Sequence, residues 1–221
     1  MSQQRRAVWD AADCALLLID YQDSVLAQVF EQDRRLIEFN ASNLAKLAMS
    51  FEIPVVLSTI GVEMGVREAT IPELTAELSE IAPIDRHTQN AWESAAFVEA
   101  VKATGRQRLV IGGIVTSVCL TQVAVSALGD GYEVMFVEDA VGDSLRENHD
   151  VAVLRLAHAG AVPNTTMAMM GEWFRDWKSP LAASALELFG PYREEWAALV
   201  RAPEHLEVIG LESEQSPGDP T

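Results

Sequence analysis

Leu109-Val110-Ile111-Gly112-Gly113-Ile114-Val115-Thr116-Ser117-Val118-Cys119 is the most informative stretch of this chain. Its first three residues form a continuously apolar run, which is typical of a strand buried on both faces of a parallel sheet. The two glycines that follow let the backbone turn sharply. Beyond Cys119 the apolar residues recur at helical spacing. We therefore expect Cys119 to lie where a strand passes into a helix, at or beside the helix N-terminus. The apolar residues at helical spacing are Leu120, Val123, Ala124, Ala127 and Leu128.

The position of Cys119 is compatible with two interpretations. A helix N-terminus carries partial positive charge and unpaired N–H groups, so a thiol there ionises more easily and an oxyanion finds donors. In open α/β sheets, ligands bind at the carboxyl ends of the strands. However, a free cysteine is most often a small buried hydrophobe. The position alone leaves both a nucleophile and a packing residue open.

Strand and helix patterns alternate along the chain with short loops, which predicts a doubly wound parallel sheet. The fold class is therefore α/β, a three-layer fold with the sheet flanked by helices. We see no internal repeat and no linker, and we expect one domain over residues 1–206, followed by an acidic tail or arm over 207–221. The predicted strands are Cys14–Ile19, Val55–Thr59, Ile81–Ile84, Leu109–Ile111, Tyr132–Val137 and Ala161–Val162. The predicted helices cover 24–49, 73–80, 95–103, 120–130, 148–158, 167–177 and 181–200.

Acidic residues follow two of these strands. Asp20 closes the first predicted strand, and Glu138 and Asp139 close a later one. A carboxylate at the end of a buried strand is costly to desolvate unless it has a partner or a function. A helix cap or an acid in a surface loop is the other interpretation of Asp20, and the sequence does not separate the two.

Composition and charge exclude several classes of function. Of the 221 residues, 49% are hydrophobic, which is enough for a sizeable core, and the net charge is −17. That charge argues against a nucleic acid or an anionic membrane as partner. Two cysteines do not make a disulfide framework, and we see no signal peptide within residues 1–13. We expect a cytoplasmic protein with no membrane association.

Common motifs for nucleotides, serine hydrolases and metals are missing from the sequence. There is no G-x-x-x-x-G-K-[ST] loop, no G-x-G-x-x-G after the first strand and no G-x-S-x-G elbow. The histidines show no metal-ligand spacing, and only His87 stands out, because it follows Arg86. We expect neither a metal nor a cofactor. The other histidines are His149, His158 and His205.

At the level of motifs, the chain resembles the isochorismatase-like cysteine hydrolases, and within them the YcaC-like branch. The resemblance extends roughly to Trp177, and the motifs occur in the family's order. It implies a six-stranded parallel sheet flanked by helices. The stretches that carry it are Leu16–Gln22, Asn90–Trp92 with Phe97, Gly112–Cys119 and Asp130–Ala140.

The resemblance also implies a catalytic triad of aspartate, lysine and cysteine. It places the aspartate at Asp20 and the cysteine at Cys119, but the basic position holds Arg86 instead of lysine. Arginine stays protonated, so it cannot shuttle a proton, although it can hold Asp20 and help to keep a thiolate ionised. The family's cis peptide would fall at Val115–Thr116.

Further residues are expected around the nucleophile by the same resemblance. We assign the oxyanion to backbone N–H groups at Val115, Thr116 and Cys119. Gln22, Asn90 and Trp92 are predicted to bind substrate.

Two known activities of the superfamily are not supported. The D-x-H metal motif of nicotinamidases has no counterpart in Gly61–Gly65, which lacks histidine. Nothing in the sequence marks a dicarboxylate pocket for isochorismate.

The function that these observations favour is hydrolysis of an amide-like C–N bond in a small molecule. Cys119 would attack, Asp20 would move the proton, and an acyl-enzyme would form. The alternatives are a non-catalytic oligomeric binding protein of the same fold and a thiol-reactive protein that uses Cys119 alone. We also expect a homo-oligomer, because the C-terminal helices offer surplus apolar surface, although the same residues could equally pack within the chain. Its residues are Trp173, Trp177, Leu186, Phe189 and Trp196.

Overall fold

The computed structural model describes residues 8–208 and contains a sheet of six parallel strands in the order β3-β2-β1-β4-β5-β6. This confirms the predicted doubly wound α/β fold. The most buried apolar runs form the two central strands, β1 and β4. The strands are β1 (Cys14–Ile19), β2 (Val55–Ile60), β3 (Ile84–Arg86), β4 (Arg108–Gly113), β5 (Glu133–Val137) and β6 (Val162–Asn164).

Helices connect the strands and cover both faces of the sheet. Most begin and end within a few residues of the predicted positions, and Ser94 caps one of them by accepting a hydrogen bond from the Phe97 amide. The helices are α1 (Asp23–Leu26), α2 (Arg34–Ser50), α3 (Pro72–Glu77), α4 (Ala95–Ala103), α5 (Thr121–Gly129), α6 (Arg146–Ala159), α7 (Thr166–Phe174), α8 (Ala182–Val200) and α9 (Pro203–Val208).

The sheet divides the core into two apolar layers. Leu16 and Leu18 of β1 pack into the layer formed by α2, α7 and α8, whereas Leu17 and Ile19 pack into the layer of α4, α5 and α6. Successive side chains of a strand point to opposite faces, so a strand covered on both sides must be apolar at every position. This explains why β1 is a continuous apolar run.

The two central strands create the crevice in which a ligand is expected. β1 pairs with β4 on one side and with β2 on the other, and the chain leaves β1 toward β2 but leaves β4 toward β5. The two connections therefore diverge at the carboxyl ends of β1 and β4. In open α/β sheets, this change of direction is the place where ligands bind.

Two predicted elements were wrong in their extent. The single helix expected over 24–49 is divided into α1 and α2, because the Asp33 side chain caps a new helix by accepting from the Arg35 amide. The strand expected at Ile81–Ile84 instead begins at Ile84 and includes Arg86, which the prediction left in a loop. Pro83 lacks the N–H that a ladder requires.

The predicted tail of 207–221 falls almost entirely outside the described residues. Its first two residues belong to α9. Within residues 8–208, no helix combines the length and the apolar character needed to cross a bilayer.

We predict that Gly112→Ala destabilises the protein by about 1–3 kcal/mol through overpacking. A Cβ on Gly112 would overlap the Tyr21 hydroxyl, which is fully buried and donates to the Ala140 carbonyl at 2.5 Å. Gly171→Ala is the matched control, because Gly171 lies inside α7 with no atom within 4 Å of the added Cβ. That change should stabilise the helix by about 0.5–1 kcal/mol. Urea denaturation measures both, and equal effects of the two changes would contradict the prediction.

Candidate active site

A buried ion pair joins the ends of three strands. Arg86 Nη1 donates to Asp20 Oδ1 at 2.6 Å, and Arg86 Nη2 donates to Asp20 Oδ2 at 2.7 Å, so the contact is bidentate. Arg86 Nη1 also donates to Ser58 Oγ at 3.1 Å and to the Thr59 carbonyl at 2.9 Å. Arg86 Nη2 reaches the Gln89 carbonyl at 3.2 Å. Asp20 is therefore neither a surface acid nor a helix cap, because it is paired in the interior.

The backbone at Asp20 turns the chain away from β1. Its φ is 61°, in the left-handed region that aspartate tolerates better than most residues. The Asp20 amide donates to the Ser58 carbonyl at 3.0 Å, and the Gln22 amide donates to the Asp20 carbonyl at 2.9 Å. Both bonds hold the carboxylate at the carboxyl end of β1.

Cys119 lies in a π-helical turn, Thr116–Leu120, between β4 and α5. This confirms its predicted place at the transition from strand to helix. The cis peptide bond lies at Ile114–Val115, so the position implied by the resemblance, Val115–Thr116, was wrong by one residue. Val115 is the N-cap of the turn.

The expectation of an easily ionised thiol was wrong. The pKa of Cys119 is raised to about 12, first by burial and then by the nearby charge of Asp20, whereas Arg86 and the Val115 amide act in the opposite direction. Desolvation disfavours the charged form and here exceeds the effect of the helix end. The resting thiol is therefore protonated at neutral pH.

Arg86 retains its charge in the interior. Burial by itself would lower the pKa of Arg86, but the hydrogen bonds and the charge of Asp20 outweigh burial, and the pKa lies above its usual value. Arg86 occupies the position of the lysine that the family resemblance implies, and this position is thus a permanent cation.

A cavity of about 340 Å³ opens above Asp20 and Cys119. Its wall is formed by residues of the five connections that follow β1, β2, β3, β4 and β5, together with Ile60 at the end of β2. The lining residues are Asp20, Val25, Gln28, Ile60, Arg67, Gln89, Val115, Ser117, Val118, Cys119, Asp143, Ser144 and Asn148.

The expected oxyanion donor at Thr116 is already occupied. The Thr116 amide donates to the Gly142 carbonyl at 2.9 Å, and the side chain is fully buried, so that part of the prediction was wrong. The Ser117 amide is also used, by Asp143 Oδ2 at 2.6 Å. The Val115 amide, by contrast, lies against the Cys119 sulfur and lowers its pKa.

Gln22 was expected to bind substrate, but it braces a loop instead. Its Oε1 accepts from the Ile60 amide at 2.9 Å, and its Nε2 donates to the Glu68 carbonyl at 2.6 Å. It is fully buried and does not line the cavity. A buried amide side chain that bonds backbone groups is using its polar atoms for structure.

Asn90 and Trp92 also lie outside the cavity wall. Asn90 caps a short 3₁₀ turn by accepting from the Trp92 amide at 3.0 Å, and its Nδ2 donates to Ser126 Oγ at 3.1 Å. Trp92 donates its indole N–H to Asp130 at 2.8 Å and packs edge-on against Tyr132. Both side chains join the Asn90–Glu93 region to α5, and their contact with substrate stays a prediction.

Asp143 is a functional candidate that the sequence analysis missed. The sequence drew attention to Glu138 and Asp139, but Asp139 accepts from Thr166 at the start of α7, and Glu138 bonds His149 at 3.2 Å. Asp143 lies a few residues further along, in the loop beyond β5, so the spacing gave no signal for it. It lines the cavity and anchors the turn that carries Cys119.

His149 contacts the same turn but does not line the cavity. It is almost fully buried, and its Nδ1 lies 3.1 Å from Thr116 Oγ1. His87, the histidine that the sequence made notable, is exposed and does not line the cavity. Among residues 8–208, no group of three or more His, Cys, Asp or Glu is arranged to hold a metal ion, and the cofactor prediction stays a prediction.

Comparison with known families decides the relationship. The family model for the isochorismatase domain matches residues 14–168. The chain belongs to the isochorismatase family. The matched part runs from the first residue of β1 into α7, so it includes every strand and all three residues of the Asp20, Arg86 and Cys119 group.

Among the proteins that this chain is similar to are YcaC proteins. The chain is 36% identical over 177 residues to the probable hydrolase YcaC of Escherichia coli K12, covering 80% of this chain and 85% of that one. The YcaC structure from Pseudomonas aeruginosa, with hexane-2,5-diol and covalent acrylamide, matches with a TM-score of 0.81 at 32% identity, over 89% of this chain and 96% of that one. The E. coli YcaC structure, described as an octameric hydrolase of unknown specificity, matches with a TM-score of 0.78 at 34% identity, over 87% and 96%.

We predict that alkylation of Cys119 is slow at neutral pH and rises only in strongly alkaline solution, because burial and Asp20 raise the pKa of the thiol. Asp20→Asn should increase the rate at every pH below about 11, since it removes the negative charge and leaves Arg86 to favour the thiolate. The measurement is the iodoacetamide rate against pH by mass spectrometry, in a Cys14→Ser background.

The Cys14 substitution is needed because Cys14 is also a buried thiol, whose pKa burial raises to about 11. Circular dichroism establishes that each variant is folded. A wild-type profile centred near the ordinary thiol pKa of about 8.5, or no change in Asp20→Asn, would contradict the prediction.

Proposed function

We propose that this protein is a cysteine-dependent hydrolase that cleaves an amide-like C–N bond of a small molecule through a covalent acyl-enzyme. The observation that carries the proposal is that Asp20 and Cys119 line one cavity where the sheet connections diverge, while the buried Arg86 pairs with Asp20. Membership of the isochorismatase family and similarity to a probable hydrolase support it.

The protonated resting thiol determines how the first step must proceed. The Cys119 proton has to leave as the sulfur attacks, and we assign the Asp20 carboxylate, whose charge acts on the thiol, as its acceptor. A carboxylate has about four lone-pair sites, so Asp20 can accept this proton while it holds Arg86. The new S–C bond forms as the carbonyl electron pair moves to oxygen.

Arg86 acts through charge and geometry in this mechanism. It stays protonated, so it moves no proton, but its two parallel bonds hold the Asp20 carboxylate in one orientation. Its charge also offsets the negative charge that develops on sulfur. Arginine suits this bidentate role better than lysine does.

Backbone amides next to Cys119 supply the oxyanion donors. The Thr116 and Ser117 amides are already bonded, so we assign this role to the amides of Val115 and Cys119. Fixed backbone donors of this kind stabilise the charge of a tetrahedral intermediate.

The second half of the reaction releases the two products. The C–N bond breaks, and Asp20 returns its proton to the leaving nitrogen. Water then attacks the thioester while Asp20 takes one of its protons, the C–S bond breaks, and Asp20 passes that proton to the Cys119 sulfur. The P. aeruginosa YcaC structure with covalent acrylamide is consistent with a nucleophilic side chain in that protein, because nucleophiles such as thiols add to the double bond of acrylamide and leave its amide intact.

We also propose that the protein works as a homo-oligomer. Trp177, Leu186 and Trp196 are 64%, 60% and 42% exposed in the single chain, a large apolar surface for helices of a water-facing layer. Trp173 belongs to the core instead, so that part of the surface expectation was wrong. The E. coli YcaC structure is described as octameric. A cytoplasmic location stays a prediction.

We expect the protein to release ammonia or an amine from one or more members of a panel of small amides. Cys119→Ser should lower the rate by about 10³-fold or more because it removes the nucleophile, and Asp20→Asn should lower it by about 10²–10⁴-fold because it removes the base. Cys14→Ser is the matched control and should retain activity, since Cys14 is a buried thiol outside the cavity. Acid quenching followed by mass spectrometry should show acyl-enzyme on the wild type.

Two results would overturn this proposal. Full activity of Cys119→Ser would remove the nucleophile from the mechanism. Absence of hydrolysis over the whole panel would favour a thiol-reactive protein if alkylation of Cys119 is fast at neutral pH, and a non-catalytic binding protein if alkylation is slow.

The oligomer is tested by molar mass. We expect size-exclusion chromatography with light scattering to give a multiple of the 24.2 kDa chain mass. Trp177→Ser with Leu186→Ser should lower that mass, because each change removes exposed apolar surface. A monomeric wild type would contradict the proposal.

A further inference from the structure

Three polar side chains form a hydrogen-bonded network that leads to the nucleophile turn, Thr116–Leu120. Thr116 Oγ1 lies 3.1 Å from His149 Nδ1, and Glu138 Oε1 lies 3.2 Å from His149 Nε2. Thr116 is fully buried and His149 is 1% exposed, whereas the Glu138 side chain is 41% exposed. The network therefore runs from the protein surface to the first residue of the turn that carries Cys119.

The partners of His149 determine which ring nitrogen carries the proton. The hydrogen bond from His149 holds the pKa of Glu138 below its usual value, so this carboxyl is ionised at neutral pH and can only accept. His149 Nε2 must therefore be the donor to Glu138. In the neutral ring, Nδ1 is then an acceptor, and the Thr116 hydroxyl donates to it.

Every polar group of Thr116 is bonded to another segment of the protein. Its amide donates to the Gly142 carbonyl at 2.9 Å, and its carbonyl accepts from the Thr121 hydroxyl at 2.6 Å. The third contact, from the hydroxyl to His149, ties the turn to α6. A buried polar network is costly unless each member is paired, and a fully paired one holds a single arrangement.

The position of Thr116 affects both groups that the proposed reaction needs. Thr116 follows Val115, whose amide we assign to the oxyanion, and it begins the turn that carries Cys119. Neither Thr116 nor His149 lines the cavity. Carboxylate, imidazole and hydroxyl are thus linked in the order of a hydrolytic triad, but this hydroxyl does not reach a substrate and is not a nucleophile.

We infer that His149 is a positioning residue, which holds the Thr116 hydroxyl and thereby keeps Cys119 and the oxyanion amides in their reactive geometry. Glu138 orients the imidazole for this purpose. The inference rests on the proposed function and adds to it a support for the nucleophile that reaches the surface. A side chain whose own partner fixes its direction is the usual way to keep a reactive group in place.

Two substitutions of His149 separate its two contacts. The amide of an asparagine lies near the position of Nδ1, and the amide of a glutamine lies near that of Nε2. His149→Asn should therefore keep the contact with Thr116 and lose Glu138, whereas His149→Gln should do the reverse. His158→Gln is the matched control, because His158 is exposed on the same helix.

The alkylation rate of Cys119 by iodoacetamide at neutral pH tests the inference without requiring hydrolysis. In the Cys14→Ser background, His149→Gln should raise this rate about tenfold, because a loosened turn admits water to the thiol and lowers its pKa by about one unit. His149→Asn and His158→Gln should leave the rate close to that of the parent. Equal rates in all four proteins, equal changes in His149→Asn and His149→Gln, or a larger change in His149→Asn would overturn the inference.

Thr116 supplies a second pair of variants, which keeps the test valid if a His149 variant does not fold. Thr116→Val removes the hydroxyl and keeps the shape, and it should raise the alkylation rate as His149→Gln does. Thr116→Ser keeps the hydroxyl and should behave like the parent. Thr116→Val combined with His149→Gln should change the rate no more than either alone, because both break one contact. Additive effects would contradict the inference.

Hydrolysis separates this inference from the proposed function. For an amide of the panel that the wild type hydrolyses, His149→Gln should lower kcat about tenfold or more and leave KM nearly unchanged, because the network orients the reacting groups and does not touch the substrate. His149→Asn should retain most of kcat. The expected alkylation pattern without hydrolysis of any amide would support the positioning role and overturn the hydrolase. Hydrolysis with equal kcat in His149→Asn and His149→Gln would support the hydrolase and overturn the positioning role.

Discussion

The buried ion pair of Asp20 and Arg86 is the interaction on which the site depends. It links the carboxyl end of β1 to β3, and the bonds of Arg86 to Ser58 and Thr59 include β2 as well. Removing one partner of a buried pair leaves an uncompensated charge and costs about 3–5 kcal/mol. The pair therefore fixes the relative positions of three strand ends, and the position of the proposed base relative to Cys119 follows from it.

Burial has opposite consequences for the two reactive groups. It raises the pKa of Cys119, so the thiol stays protonated and does not react indiscriminately at neutral pH. The same burial excludes water and strengthens the attraction between Arg86 and Asp20. Because the resting thiol is protonated, attack requires a base beside Cys119 that accepts the proton. The helix end at Cys119 is too weak to reverse the cost of desolvation.

Several polar residues near the cavity act on the backbone and not on a ligand. Gln22 braces the loop of Arg67, Asp143 holds the Ser117 amide, and His149 contacts Thr116 behind the nucleophile turn. Residues of this kind keep the donors and the nucleophile in place. Their chemical types alone do not distinguish them from residues that bind substrate, because the same amide, carboxylate or imidazole serves either purpose.

Apolar periodicity is a local property, and it was sufficient to predict the alternating strands and helices, the parallel sheet, and the strand-to-helix position of Cys119. The group of Asp20, Arg86 and Cys119 was reached by motif resemblance, since the three residues are far apart in the chain. Which side chains face the cavity could not be read from the chain: Asn90 and Trp92 turned away from it, and Arg67 and Asp143 turned toward it. The direction of a loop side chain and the pKa of a buried thiol depend on neighbours brought in from distant segments, and those neighbours exist only once the sheet has assembled.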